Sequence, residues 1–250
     1  MTEPYGTPAL RPAWLGTVPY EEAWELQRAV ALARRSGELA DDALLLLEHP
    51  PVYTVGRRGE ARHLGDGPSA LVAAGAEFVE VDRGGSVTFH GPGQLVAYPI
   101  VRLNQVFPIP GHPAHGDIDR YLRALEAAMI ATAGTYGVEV TRRPPWTGVW
   151  AGDRKLGAIG VKLSGGVTTH GIALNVSTDL RWFDRITPCG IEGAGVASLE
   201  TLGAPGHSPE EVAPFFAAHL AAAFSRRLEA TGPLGAVLRH CAPEARSAAR

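Results

Sequence analysis

The chain has 250 residues, 45% of them hydrophobic and 20% charged, with a net charge of −3. That is enough apolar side chain for a real core, in one large domain or two small ones. There is no basic excess for wholesale nucleic-acid binding, and two cysteines, Cys189 and Cys241, make neither a disulfide framework nor a zinc spacing. The opening Met-Thr-Glu-Pro lacks a basic stretch followed by an apolar one, and the longest aliphatic run, residues 44–47, is far short of a membrane span. A reduced, cytoplasmic chain with no membrane or nucleic-acid partner is expected.

In chain order, residues 1–12 are rich in Pro and Gly and read as a flexible arm before a domain over 13–242. Residues 20–36 place Ala23, Leu26, Ala29, Val30 and Ala33 at helical spacing. Residues 42–48 and 52–55 read as strands broken by Pro50-Pro51, and 77–82 alternates like a half-buried strand. A glycine-rich turn leads to a strand over 95–101. Residues 104–115, with three prolines and two histidines, read as a loop. An amphipathic helix over 118–132 follows, then short β-like pieces punctuated by glycines over 138–176. An Ala-rich helix over 209–228 belongs to a helical appendage from about 205, and the tail 243–250 is expected to fray. The alternation suggests a single α/β or α+β domain, with its strand order unread.

Three segments carry chemistry-bearing side chains. Cys189 lies between Pro188 and Gly190. Pro fixes its own φ, and Gly admits unusual angles, so the pair presents the sulfur at a sharp turn. The plainer reading is a small apolar residue packed under a loop. The turn over 83–93 holds four glycines with Arg83, Ser86, Thr88 and His90. It fits neither a GxGxxG nor a Walker spacing. A structural turn does not need that set of polar side chains, so a binding role is favoured over mere turn geometry, although His90 alone could simply satisfy a local hydrogen bond. Residues 141–165 hold five Lys and Arg against one Asp, ordinarily a solvated face. Lys155 differs, because it opens an apolar stretch of small residues over 156–161. Its stem can lie along a buried wall, and a desolvated amine can act as a base. Gly157, Ala158, Gly160, Gly171 and Ala173 either line a narrow apolar tunnel or allow strand and helix to pack closely.

Together these segments resemble the lipoyl(octanoyl) transferase family over about residues 43–200. The residues that carry the likeness are His49-Pro-Pro-Val-Tyr-Thr-Val-Gly-Arg57, Arg83-Gly-Gly through His90-Gly-Pro-Gly-Gln94, Thr147-Gly-Val-Trp150, Lys155 with Gly160, His170-Gly-Ile-Ala-Leu-Asn175 and Pro188-Cys-Gly190. The resemblance implies an α/β domain similar to biotin protein ligases and lipoate ligases, with a class II tRNA-synthetase-like catalytic core. It implies an acyltransferase that passes an octanoyl or lipoyl group through a Cys189 thioester, with Lys155 as the dyad partner 34 residues upstream. Lys162 stands where the family often has Arg. The likeness also assigns acyl-site roles to Arg83, Gly84, Gly85, Ser86, Val87, Thr88, Phe89 and His90, to Ala158, Ile159 and Gly160, and to Gly171, Ile172 and Ala173. No metal or cofactor is implied. The implied partners are octanoyl-acyl carrier protein as donor, and lipoyl domains of 2-oxoacid dehydrogenase complexes and glycine cleavage H protein as acceptors. Arg57, Arg58, Arg62, Arg142 and Arg143 either dock an acidic carrier or serve solubility. An ATP-dependent lipoate or biotin ligase of the same fold and a non-catalytic lipoyl-domain scaffold are the rival readings.

Overall fold

The strand β2 (Asp42–Glu48) is an apolar run rather than an alternation, as expected of a strand covered on both faces. Leu44 and Leu46 enter one core, and Ala43, Leu45 and Leu47 enter another. The computed structural model describes residues 8–65, 67–187 and 193–241. In it β2 pairs in parallel with β1 (Leu10–Thr17) and antiparallel with β6 (Gln94–Ile100). The sheet continues through β12 (Val167–Asn175), β11 (Arg154–Ser164), β10 (Trp146–Ala151) and β9 (Thr141–Arg143), and the short β13 (Gly195–Val196) runs parallel to β11.

Helices cover both faces. On one side α1 (Tyr20–Ser36) packs on β6 and β12, with α6 (Pro233–Cys241) beside it. On the other, α4 (Ile118–Thr135) packs against α5 (Pro209–Ala223). Helix α1 has Glu21 and Glu22 in its first turn, Arg34 and Arg35 in its last, and the left-handed Gly37 as its C-cap, each suited to its end of the helix dipole and backbone. The buried Asp42 accepts from Arg34 and from Arg226, both at 2.9 Å, which ties α1 and the chain after α5 to the sheet. A second sheet, in the order β4 (Glu77–Glu80), β3 (Val52–Val55), β5 (Val87–His90), packs on its own core of Tyr53, Leu71, Phe89 and Phe183. The short helix α2 (Pro68–Ala73) sits against β4.

Four expectations change. Leu10, Arg11 and Pro12 pair with Asp42, Ala43 and Leu44, so the expected arm already belongs to the sheet at its end. Residues 104–115 are not plain loop: a helical turn α3 (Leu103–Val106) leads into a hairpin of β7 (Pro108–Ile109) and β8 (His112–Gly116), turned by Gly111 at φ 78. The 209–228 helix stops at Ala223, because Ser225 turns left-handed at φ 53 and Leu228 bridges to Leu10. Nor is α5 an appendage, since Val212, Phe216 and Leu220 are fully buried in the same core as α4. The tail 243–250 lies outside the described residues. Among the described residues no helix is long and apolar enough to cross a membrane.

Candidate active site

The turn between β4 and β5 folds back over the large sheet, and Arg83 ties it to β3. The Arg83 Nη2 donates to the carbonyl of Thr54 (2.8 Å) and to its Oγ1 (2.7 Å), and Nη1 donates to the Gly84 carbonyl (3.0 Å). Gly160 permits the approach: a Cβ there would lie 2.9 Å from Arg83 Cδ. Gly84 N–H donates to the Val161 carbonyl on β11 (2.9 Å). Ser86 Oγ meets His63 Nδ1 at 2.8 Å, and the His63 carbonyl accepts from Thr187 N–H (2.9 Å). The polar groups of the turn thus hold local structure as well as facing a cavity.

That cavity is a cleft of about 440 Å³ between the turn and the large sheet. It gathers Arg83, Gly85, Ser86, Val87, Thr88, His90, Ala158, Ile159, Gly160, Gly171, Ile172 and Ala173, which are distant in sequence, because β11 and β12 pair Ala158 with Ala173 and Gly160 with Gly171. Two of the expected lining residues stand apart from it. Phe89 is fully buried in the small-sheet core, stacked on Trp182 at 5.1 Å, and Gly84 is engaged with Val161. The small residues do both jobs considered for them. Gly157 and Gly171 allow close packing, since a Cβ would lie 2.6 Å from Met129 Sδ in the first case and 2.0 Å from the Ala97 carbonyl oxygen in the second, while Ala158 and Ala173 line open space.

A second cleft of about 290 Å³ adjoins the first and shares Thr88, Ala158 and Ala173 with it. Lys155 lines this one. The residue is 8% exposed, its stem passes Gly148, and its ammonium lies 5.1 Å from the centre of the Trp150 ring, a cation–π arrangement. A Cβ on Gly148 would lie 2.8 Å from Lys155 Cε, so only glycine leaves that stem in place. The chain returning from residues 188–192 runs beside it: Val196 pairs with Lys155, and Ala197 N–H donates to the Lys155 carbonyl (2.9 Å). Cys189 itself lies outside the described residues. Of the candidate docking arginines, Arg142 is tied to the buried Glu126 (2.8 Å) and Arg62 to Glu60 (3.1 Å).

A family model described as the lipoyl protein ligase A/B catalytic domain matches residues 19–221. The chain belongs to this family. It is 56% identical over 187 residues to an octanoyltransferase of Rubrobacter xylanophilus, covering 74% of this chain and 80% of that one. It is 48% identical over 210 residues to an octanoyltransferase of Solibacter usitatus, covering 84% and 90%. Among solved structures, a bipartite lipoate protein ligase of Thermoplasma acidophilum superposes with a TM-score of 0.69 over 93% of this chain and 91% of that one, at 15% identity. A lipoate-protein ligase A bound with ATP does so at 0.70 over 93% of each, at 14% identity. At such identities the likeness is one of fold.

Several further residues line this family member's clefts with no sign of it in the sequence. Gln94 and Asn175 line the cleft that holds Lys155. His90 Nδ1–H donates to Gln94 Oε1 (2.7 Å), Gln94 Nε2 donates to Asn175 Oδ1 (2.9 Å), and Asn175 Nδ2 donates to the Ala197 carbonyl (2.9 Å). This chain fixes the His90 tautomer and leaves Nε2 as its acceptor. Both residues stand inside recognisable motifs, but an amide in a strand gives no sign of whether it faces a cavity. Tyr20, Tyr98 and His170 also line the larger cleft, and His49 lies just behind it.

Burial takes His49 down to about 4 and His170 down to about 4, the latter against the raising pull of Asp82, and it takes His90 well below the ordinary imidazole range. All three are neutral in the fold at pH 7. The unfolded chain takes up protons near pH 6.5, so it binds more protons than the native state between about 4 and 6.5. Stability is therefore full above pH 6.5 and lost as pH falls toward 4, by on the order of 3 kcal/mol for His49 alone. Thermal midpoints measured from pH 7.5 to 4.5 should fall steeply, and His49→Gln should flatten that slope. An equally steep slope in the variant would contradict the assignment.

Proposed function

We propose that the chain is an octanoyltransferase, moving an octanoyl group from the thioester of acyl carrier protein to a lysine amine on a lipoyl-domain protein. What carries this reading is the 56% identity to an octanoyltransferase across three quarters of the chain. The apolar clefts that end at Lys155 support it. Six or so buried methylenes contribute about 5 kcal/mol, enough to hold a medium acyl chain.

In the proposed reaction the Cys189 thiolate, beside the Lys155 ammonium, attacks the carrier thioester carbonyl; the tetrahedral adduct collapses, and the carrier sulfur takes the Lys155 proton and leaves as a thiol, so that a Cys189 thioester remains beside a neutral lysine. The acceptor amine then attacks, the neutral Lys155 amine takes its proton, and Cys189 leaves as a thiolate beside the restored ammonium as the amide forms. A cation about 4 Å from the thiol is worth at most roughly 4 kcal/mol at an effective dielectric near 20. Half of that moves a titration by more than one pH unit, which is about a tenfold gain in thiolate. Exchange between thioesters is close to neutral and thioester-to-amide transfer runs downhill, so no nucleotide is needed. The acceptors in this reading are the lipoyl domains of 2-oxoacid dehydrogenase complexes and glycine cleavage H protein.

Octanoyl-carrier protein and an apo lipoyl domain, mixed with the enzyme and no ATP, should give a lipoyl domain heavier by one octanoyl group in its intact mass. Modification that needs ATP and free octanoate, and ignores the carrier thioester, would replace this reading with a ligase.

A further inference from the structure

The larger cleft has two unlike ends. Toward Lys155 it joins the second cleft at Thr88, Ala158 and Ala173. From Lys155 to Gly160 the path along β11 is roughly 16 Å at the usual rise of a strand. The opposite end is closed by rings. Tyr20, the first residue of α1, packs its ring 5.0 Å from that of His49 and stacks at 6.0 Å on His90. Tyr98 stands beside them on β6. Tyr20 and Tyr98 are 1% and 3% exposed.

These rings are fixed, not merely packed. Tyr98 Oη donates to His49 Nε2 (2.7 Å), and His49 Nδ1–H donates to the Val18 carbonyl (2.6 Å). Tyr20 Oη lies 3.4 Å from His170 Nδ1, whose Nε2–H donates to Asp82 Oδ1 (3.0 Å). His170 is one of only two non-glycine residues with positive φ among those described (56°), and its N–H donates to Gln27 Oε1 (2.6 Å). An aliphatic end wall changes rotamer to admit one more methylene. A wall of rings whose polar edges are all engaged cannot do so without leaving a buried donor or acceptor unmet.

We propose that the Tyr20–Tyr98–His49–His170 cluster is the closed end of the acyl cleft and sets the longest acyl chain the enzyme transfers, with Tyr20 the determining residue. This rests on the octanoyltransferase reading above and goes beyond it by assigning its length limit. Tyr20 and its neighbours touch the far end of the chain, not the reacting carbonyl, so their removal should alter which acyl group is used more than how fast the chemistry runs.

The test is a series of acyl-carrier thioesters from hexanoyl to tetradecanoyl, with kcat/KM measured for each. In Tyr20→Leu and Tyr20→Ala the ratio of dodecanoyl to octanoyl transfer should rise on the order of tenfold, since each newly housed methylene is worth a few-fold. Tyr20→Phe keeps the ring and should keep the chain-length maximum. A folded Leu or Ala variant whose maximum does not move would overturn the proposal, as would a Phe variant that shifts as far as Leu. Wild-type enzyme that transfers no carrier-bound acyl group would instead refute the underlying function. Should the smaller variants fail to fold, an octanoyl thioester bearing a terminal diazirine serves with the wild type. Crosslinks should map to peptides holding Tyr20 or Tyr98. Crosslinks confined to the Lys155 end would overturn the proposal.

Discussion

Cys189→Ala should form no acyl-enzyme, and its transfer rate should fall by on the order of a thousandfold or more. Intact mass after incubation with octanoyl-carrier protein reads the first effect directly: wild type gains one octanoyl group and the variant gains none. The expectation rests on the chemistry of the step. A thioester carbonyl is exchanged most readily by a thiolate, and the one further cysteine, Cys241, belongs to α6, which packs on α1 and β1. The chain on both sides of Cys189 is anchored close to the clefts. Thr187 bonds to the residue that meets Ser86, and Val196 pairs with Lys155. Cys241→Ser is the control and should acylate normally. Stable octanoylation of Cys189→Ala at another residue would remove the nucleophile assignment while leaving the family membership untouched.

Some elements are specified by local pattern alone. The helical spacing over 20–36 and the apolar run over 42–48 are properties of neighbouring residues, and α1 and β2 form where they indicate. The glycine-rich turn was legible as a place where backbone approaches something, and the something is partly Arg83 of the same turn. What local pattern does not carry is the partner of a side chain. Phe89 and His90 are adjacent on β5, yet the first packs away under Trp182 and the second bonds to Gln94 in the cleft wall. Tyr20 is a single aromatic at a helix start, and its contact with His90 is made by folding across 70 residues. Its site role is invisible until the two sheets are brought together. The 104–115 segment misled for a different reason. Its prolines suit a loop, but Gly111 and the side-chain-free Gly116, where a Cβ would lie 2.4 Å from the Leu103 carbonyl carbon, allow a small hairpin to lie on α3.

Lys155 variants should separate the two halves of the reaction. In Lys155→Ala both halves lose their cation and their base, and overall transfer should fall by about a hundredfold to ten-thousandfold, the usual span for a positioned proton acceptor. Iodoacetamide should then alkylate Cys189 only at higher pH, in a Cys241→Ser background that leaves one thiol to read. Lys155→Arg is the more telling substitution. A guanidinium remains charged, so it can still stabilise a thiolate, but it has no acceptor lone pair and cannot take the proton of an incoming amine. This variant should therefore form the octanoyl-enzyme and stall there, with the acyl-enzyme persisting in the mass spectrum when the lipoyl domain is added. Gly148 and Trp150 confine the side chain, so the Arg variant needs a thermal midpoint near that of wild type before its kinetics are read. If Lys155→Arg completes the transfer at the wild-type rate, the proton must leave by another group. If Lys155→Ala also keeps its alkylation profile, the lysine is a wall of the cleft and the dyad does not exist.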